Sequence, residues 1–354
     1  MTIEEIVKPF PLGDYKPWQL GSLVCSEIKE GGVVLLFCSD DRGAGGSAVA
    51  RDFSAVRKCL YQLSKNDFNF PICDLGDLIS GKSLEDTQYI VAEIVSKCIA
   101  EGALPIVIGG SNDLALSLYT AVKNHKEKIS YTQINSFIHL EDVKESINER
   151  NFVSKILSEP SLKNYYHLGY QKHLNEPHSV SVLKEIDFEV LRLADMMNST
   201  DLAEPFLRRA EVVSLSADAV ESFSGEFSFH AQVNGLNKRE ICAYMKEIGL
   251  GENLMAFGLF NVNIDSSHLV YNQLIAQMIW YFLEDLSIQK THPKERQYEN
   301  YLVVINNQDY TFKRDTFSGL WYFGNTDDIL KCLPCAEKDY YNAKKGLLNP
   351  RFLK

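Results

Sequence analysis

The stretch "IVIGGSNDLALSLY", residues 106–119, decides the fold class of this chain. It combines an apolar run, a Gly-Gly turn and three small polar residues that open a second apolar stretch. Such a pattern is typical of a strand, a tight turn and a helix. In an α/β protein this turn lies at the carboxyl end of a parallel strand, where ligands usually bind. Ser111, Asn112 and Asp113 are therefore the first candidate site residues.

Seven further apolar runs resemble the one at 106–119. They are "GGVVLLFC", "FPICDLG", "KISYTQIN", "NYYHLGY", "IDFEVLRL", "EVVSLSAD" and "LMAFGLF". Between several of them lie stretches with one apolar face at helical spacing, as in Phe53, Val56, Leu60 and Leu63. The longest such stretch runs from about Ser266 to Asp285 and has the pattern of a core helix. Eight runs separated by helices predict a mostly parallel sheet covered on both faces.

Composition and charge exclude several classes of function. The 354 residues are 45% hydrophobic, which is enough for a large folded core. A net charge of −11 disfavours nucleic acid as a partner. We find no signal peptide and no apolar stretch long enough to cross a membrane, so we expect no membrane insertion. Eight scattered cysteines are typical of free thiols in a reducing compartment. We therefore expect a cytoplasmic protein.

The pattern changes after residue 290. "YLVVI", "YTFKR" and "GLWYFG" have the pattern of antiparallel strands, and "EKDYYNAKKG" predicts a short helix. We predict two domains, an α/β domain at 1–290 and a β-rich C-terminal extension at 291–354. The aromatic residues of the extension either form its core or dock a homo-oligomer or protein partner. Cys332 and Cys335 have C-x-x-C spacing, but a second pair of the kind found in zinc sites is missing from the sequence.

Several motifs together resemble the ureohydrolase superfamily of arginase, agmatinase and formimidoylglutamase. They are "DDRGAGG", "DLGDL", "LPIVIGGSND", "VVSLSADAVES", "NGLNKRE" and "FNVNIDSS", in that order between about residues 30 and 285. The resemblance implies a three-layer α/β/α domain with an eight-stranded, mainly parallel sheet. It also implies two Mn²⁺ ions at the carboxyl ends of the strands, sharing a hydroxide that attacks a guanidino or formimino carbon.

The positions that the resemblance assigns to metal ligands are mostly substituted here. The family's Gly-Gly-Asp-His has become Gly109-Gly110-Ser111-Asn112, and its Asp-x-His-x-Asp has become Gln133, Asn135 and Phe137. In the third motif Ser214, Ser216 and Asp218 stand where the family has Ser-x-Asp-x-Asp, and a later glutamate aligns with Asn261. Two adjacent dications need several carboxylates and imidazoles. Because only Asp218 keeps a carboxylate, we predict no metal centre, no cofactor and no catalytic residue.

What remains is a vestigial pocket of polar groups that could hydrogen-bond a small ligand. We assign to it Asn112, Asp113, Gln133, Asn135, Ser216, Asp218 and Asn261. We interpret Asp113 as a helix cap in preference to a shifted metal ligand, because one residue along a helix turns a side chain by about 100°. Phe137 projects an apolar ring toward the presumed metal space, and His139 is the histidine nearest to it.

A second motif offers another function. "GDLISGKS", Gly76 to Ser83, satisfies the pattern of a phosphate-binding loop, with Gly81, Lys82 and Ser83 as the contact residues. The competing interpretation is that Ser83 and Asp86 cap the next helix.

Three hypotheses follow from these patterns. The leading one is a non-catalytic binding or assembly component with a ureohydrolase fold. The first alternative is a divergent C–N hydrolase that uses Asp113, Asp218 and His139 around one metal. The second alternative is nucleotide binding at Lys82.

Overall fold

The structure is a computed structural model that describes residues 3–49, 51–144, 146–197, 199–223, 225–263 and 267–353. The strands within these residues are β1 (Val7–Lys8), β2 (Val24–Cys25), β3 (Val33–Phe37), β4 (Ile72–Leu78), β5 (Leu104–Ile108), β6 (Ile129–Ile134), β7 (Leu162–Tyr170), β8 (Glu189–Arg192), β9 (Val212–Ser216), β10 (Ala256–Phe260), β11 (Tyr298–Ile305), β12 (Gln308–Asp315), β13 (Trp321–Phe323) and β14 (Leu333–Cys335).

The helices alternate with the strands along most of the chain. They are α1 (Ile3–Ile6), α2 (Ser54–Tyr61), α3 (Leu84–Ala100), α4 (Leu114–Lys123), α5 (Phe152–Leu157), α6 (Pro177–Glu185), α7 (Leu193–Met196), α8 (Glu204–Leu207), α9 (Lys238–Gly249), α10 (Leu269–Thr291) and α11 (Glu337–Lys344).

The main sheet contains eight parallel strands in the order β4-β3-β5-β10-β9-β6-β7-β8. Each coincides with one of the eight apolar runs, so the predicted eight-stranded, mainly parallel sheet is confirmed. Two strands of two residues, β1 and β2, pair with β4 and were not predicted. Two residues are too few to show an alternating pattern.

The sheet is the middle layer of three. Val33, Leu35 and Phe37 of β3 belong to one buried cluster, which includes residues of α2, α9 and α10. Val34 and Leu36 point to the opposite face and pack in a second cluster with α3, α4 and α5. Side chains alternate along a strand, so a central strand that is apolar throughout supplies both cores at once. The predicted α/β/α architecture follows from these two clusters.

The long helix α10 differs from its predicted bounds. It begins at Leu269 and ends at Thr291, six residues beyond the predicted end at Asp285, while Ser266 lies outside the described residues. Leu269 and Val270 are 58% and 50% exposed, so these two residues do not belong to the core, contrary to the apolar pattern. The buried face of the helix begins at Tyr271 and continues, for example, at Ile275 and Ile279.

The C-terminal extension forms a separate antiparallel sheet in the order β11-β12-β13-β14, with α11 packed against β11. Three of its strands and the helix were predicted, whereas β14 was not. Most of its aromatic residues line a small core of their own around Phe312, Trp321 and Phe352. Burial raises the pKa of the Cys332 and Cys335 thiols, which does not favour a reactive C-x-x-C pair.

Two arginines attach the extension to the α/β domain. Arg208 is buried, pairs with Glu204 at 2.5 Å and donates to the backbone carbonyl of Trp321 at 2.6 Å. Arg209 donates to the carbonyls of Ile329 and Cys332, both at 2.8 Å. These contacts fix one edge of the second sheet against the α/β domain.

Among the described residues, no helix is long and apolar enough to span a membrane.

Candidate functional site

Four neighbouring strands of the main sheet deliver the predicted pocket residues to one place. Asn112 and Asp113 follow β5, Asn261 follows β10, Asp218 follows β9 and Asn135 follows β6. Because parallel strands end at the same edge, all of these residues lie at one edge of the sheet. Hydrogen bonds join Asn112, Asp218 and Asn261 there, whereas the Asn135 and Asp113 side chains make no hydrogen bond to these three. All seven predicted pocket residues are buried, including Gln133 and Ser216. The turn after β5 depends on Gly109 and Gly110, whose φ angles of 86° and 75° favour glycine.

Asn261 lies at the centre of this cluster. Its Nδ2 donates to Asp218 Oδ2 at 2.7 Å and to Glu149 Oε2 at 3.0 Å. Its Oδ1 accepts the backbone N–H of Asn112 at 2.9 Å. The backbone of Asn261 has a φ of 57°, a left-handed conformation that asparagine tolerates better than most residues. A single amide group therefore links two buried carboxylates to the turn after β5.

Asp218 is surrounded by donors from the protein itself. Besides the amide of Asn261, its Oδ2 accepts the Ser216 hydroxyl at 3.0 Å, and its Oδ1 accepts the backbone N–H of His230 at 3.1 Å. Hydrogen bonds of this kind satisfy a buried carboxylate without a cation.

Glu149 and His230 belong to the site and were not predicted. His230 Nε2 lies 2.7 Å from Glu149 Oε1, and the two form an ion pair when the imidazole is protonated. Burial opposes the charge on Glu149, but the contacts with His230 and Asn261 outweigh it and lower the glutamate pKa. The same hydrogen bond raises the pKa of His230. Both residues lie outside the helices and strands, where no periodic pattern marks them.

Asp113 does not cap α4 with its side chain, so that part of the prediction is wrong. Its carboxylate accepts the Ser111 hydroxyl and the Gln88 side-chain amide, both at 2.5 Å. Burial raises the pKa of Asp113 to about 6. The loop at residues 41–47 lies close against it, because a Cβ on Gly43 would come within 1.8 Å of Asp113 Oδ1. A carboxylate enclosed in this way is a structural residue of the turn.

An aromatic group covers part of the cluster. Phe137 stacks on His139 with ring centroids 5.5 Å apart and meets the edge of His230 at 5.8 Å. Burial lowers the pKa of His139, which keeps its ring neutral at neutral pH. His139 Nε2 and Asn135 Nδ2 are both buried without a hydrogen-bond partner in the protein. Gln133, by contrast, accepts the Tyr165 hydroxyl at 2.9 Å.

The donor set does not fit two manganese ions. The six positions that the resemblance assigns to metal ligands hold three amides, a hydroxyl, the phenyl ring of Phe137 and one carboxylate, Asp218. The Asn261 Nδ2 donor lies between Asp218 and Glu149, where a bound cation would need oxygen ligands. In the part of the chain that the structure describes, no group of three or more His, Cys, Asp or Glu residues is placed to hold a metal ion. Asp113, Asp218 and His139 are therefore not brought together as ligands for a single ion.

The loop "GDLISGKS" uses its groups for local structure. Gly76 lies inside β4, and Ser83 with Asp86 forms a capping box at the start of α3. The N–H groups of Gly81 and Ser83 donate to Thr87 and Asp86, and Arg42 donates to the carbonyls of Gly81, Lys82 and Ser83. A phosphate site needs free amides. Nucleotide binding at Lys82 stays a hypothesis that these hydrogen bonds disfavour.

Comparison with curated proteins identifies formimidoylglutamases as relatives of this chain. Formimidoylglutamase from Paraburkholderia xenovorans is 28% identical over 100 residues, which are 27% of this chain and 31% of that protein. Formimidoylglutamase from Clostridium tetani is 21% identical over 286 residues, which are 71% of this chain and 81% of that protein. The first alignment thus spans about a third of its relative, and the second about four fifths.

Solved structures show the same fold. Trypanosoma cruzi formiminoglutamase, solved with Mn²⁺, matches with a TM-score of 0.67 at 19% identity, over 78% of this chain and 99% of that one. The arginase family model matches residues 33–283, well over half of the chain. The resemblance drawn from the motifs is therefore confirmed, and the chain belongs to the arginase family.

Proposed function

We propose that this arginase-family protein binds a small polar ligand at the carboxyl edge of its main sheet, without a dinuclear manganese centre and without hydrolysing the ligand. Its contribution in the cell, which we place in the cytoplasm, is that of a binding or assembly component.

The amide of Asn261 between Asp218 and Glu149 is the observation that carries this proposal. A glutamate at this position would add a third carboxylate and require a cation to neutralise the cluster. The asparagine side chain has nearly the same shape as aspartate, which is one methylene group shorter than glutamate, but its nitrogen donates hydrogen bonds. The substitution thus replaces the role of a cation with two hydrogen bonds.

Two buried groups have no partner in the protein and point to a ligand. Asn135 Nδ2 is a donor, and the neutral ring of His139 offers Nε2 as donor or acceptor. Buried polar atoms in native proteins are nearly always hydrogen-bonded to protein, water or ligand, so each of these is available to one polar group of a ligand. With Phe137 stacked on His139, the ligand also meets one aromatic ring.

The test is metal content together with activity. The protein is purified in excess Mn²⁺, its metal is measured by mass spectrometry, and it is assayed with arginine, agmatine and formiminoglutamate. We expect well below one equivalent of manganese and no turnover, in the wild type and in Asp218→Ala alike. Nearly two equivalents of metal with turnover that Asp218→Ala abolishes would contradict the proposal.

A second candidate function is hydrolysis of a C–N bond in a linear amidine such as formiminoglutamate. The names of the relatives favour it, because those described above are formimidoylglutamases. Glu149 and His230, together with Asp218, would have to provide its acid–base groups, since the positions aligned with metal ligands are largely amides. The assay above distinguishes the two functions: turnover that is lost in Glu149→Gln and His230→Ala, with or without metal, supports hydrolysis.

An assembly role would use the C-terminal sheet. Strand β11 lies at its edge, and Leu302 and Val304 are each 62% exposed on the face opposite the small aromatic core. Exposed apolar residues on an edge strand favour pairing with a second chain. We expect the double variant Leu302→Lys/Val304→Lys to shift the oligomeric state toward the monomer in light scattering. An unchanged mass would exclude this strand as the interface.

A further inference from the structure

A groove lies on the side of the main sheet opposite the candidate site. It runs between the amino-terminal ends of β6, β7 and β9 and the C-terminal extension around β14, and encloses about 640 Å³. Cavities of this size accommodate small organic ligands. The groove exists because the extension covers this edge, so it depends on the part of the chain beyond the arginase-family match.

The groove is basic although the chain carries a net charge of −11. Six cationic side chains line it, namely Lys126, Lys128, Lys163, Arg209, Lys331 and Arg351. Three carboxylates also line it, Asp187, Glu189 and Glu211, and Glu211 accepts Lys126 Nζ at 2.6 Å and the Ser130 N–H at 2.6 Å. With six cationic and three anionic side chains in its lining, the groove carries an excess of positive charge.

Two of the lysines lie at the amino-terminal ends of neighbouring strands, and neither has a carboxylate partner among the described residues. Lys128 precedes β6 and Lys163 lies at the start of β7, and these strands are neighbours with Ile129 opposite Leu162. Lys128 Nζ donates to the backbone carbonyl of Pro160 at 2.9 Å. Neither lysine takes part in an ion pair among the described residues. Adjacent like charges repel each other, and a bound anion removes that repulsion.

Two arginines are held in place before any ligand arrives. Arg209 is fixed by carbonyls of the extension and by an ion pair with Glu252, in which its Nε lies 3.6 Å from Glu252 Oε2. Arg351 donates to the Pro334 carbonyl and stacks over the Phe206 ring at 4.7 Å. Fixed guanidinium groups bind anions with little loss of side-chain entropy.

We infer that this groove binds a small organic anion with at least two negative charges, carried by phosphate or carboxylate groups. Lys128, Lys163 and Arg351 hold the charged end, and the half-buried rings of Tyr166 and Phe206 contact the organic part. This inference is independent of the proposed function, since the two sites lie at opposite edges of the sheet.

The test is calorimetric titration of the full chain with ADP, a phosphate ligand, and with citrate, a carboxylate ligand. We expect saturable binding of at least one of them, weaker at high salt because the contacts are ionic. The double variant Lys128→Ala/Lys163→Ala should weaken it at least tenfold. A matched control, Lys58→Ala/Lys97→Ala, removes the same charge from exposed positions elsewhere and should bind like the wild type.

Two results would overturn the inference. One is the absence of saturable binding of both ligands at millimolar concentration. The other is an affinity that the double variant and its control change equally, which would indicate general charge attraction only. If the double variant does not fold, the single variant Lys163→Gln replaces it, because this side chain is exposed and lies at the start of a strand. For Lys163→Gln we expect at least a threefold loss of affinity, and no loss would count against the site.

Discussion

Replacing Asn261 with aspartate tests the central feature of the site. Asn261→Asp changes one nitrogen to oxygen and keeps the shape of the side chain. Aspartate also tolerates the φ of 57° at this position, so the backbone is not the cause of any effect. The new oxygen would lie near Asp218 Oδ2 and Glu149 Oε2, which now accept hydrogen bonds at 2.7 and 3.0 Å.

The expected loss of stability follows from these two contacts. Each hydrogen bond to a charged acceptor contributes about 1.5–3 kcal/mol. A protonated carboxyl group could restore one of them, but holding the proton at pH 8 costs roughly 5–6 kcal/mol for a group with an ordinary pKa near 4. We therefore expect Asn261→Asp to lower the free energy of unfolding by about 3–6 kcal/mol at pH 8.

The loss must shrink as the pH falls. The neighbouring carboxylates raise the folded pKa of the introduced group above its unfolded value. The folded variant therefore binds more protons than its unfolded chain, and its stability falls as the pH rises through the folded pKa. At pH 5.5 we expect roughly half of the difference seen at pH 8.

Urea unfolding at the two pH values measures this, with and without Mn²⁺. Asn307→Asp is a matched control, because Asn307 has a similar φ of 62° in an exposed turn, and we expect a change within about 0.5 kcal/mol there. Mn²⁺ should stabilise Asn261→Asp and leave the wild type unchanged. An Asn261→Asp protein as stable as the wild type at pH 8 would refute our account of the amide, and so would a wild type that Mn²⁺ stabilises.

Three further predictions concern other residues. Arg208→Met leaves Glu204 and the carbonyls of Trp321 and Cys335 without their donor. We therefore expect urea unfolding to show a free energy of unfolding lower by about 3–5 kcal/mol, together with faster proteolysis between α10 and β11. The same change at exposed Arg192 should have little effect on stability. Asp113 has a pKa of about 6 against an ordinary 3.8, so its ionisation should lower the free energy of unfolding as the pH rises through that interval. Asp113→Asn should remove this pH dependence and recover up to about 3 kcal/mol at pH 8. A pH profile of stability that the variant leaves unchanged would count against this prediction. Millimolar ATP should leave the melting temperature of the wild type and of Lys82→Ala unchanged. An increase in the wild type that Lys82→Ala abolishes would restore the nucleotide hypothesis.

The sequence by itself determined the main sheet and which segments reach its carboxyl edge. Strands buried on both faces need unbroken apolar runs, and all eight runs became parallel strands. The residues that follow each strand must then lie near that edge, which agrees with the assignment of Asn112, Asn135, Asp218 and Asn261 to one site by the resemblance to the ureohydrolase motifs. The predicted departures from the family's metal-ligand motifs rest on the sequence and on its resemblance to the family.

Only the tertiary structure decided what those residues do. Glu149 and His230 come from irregular segments, whose position depends on packing and on no local pattern. The role of Asn261 as a donor between two carboxylates depends on Glu149 approaching it from 112 residues away in the chain. The basic groove likewise requires the C-terminal sheet to fold back over the start of β6 and β7. A periodic pattern records which face of an element is buried, but it contains no information about which distant side chain completes a hydrogen bond.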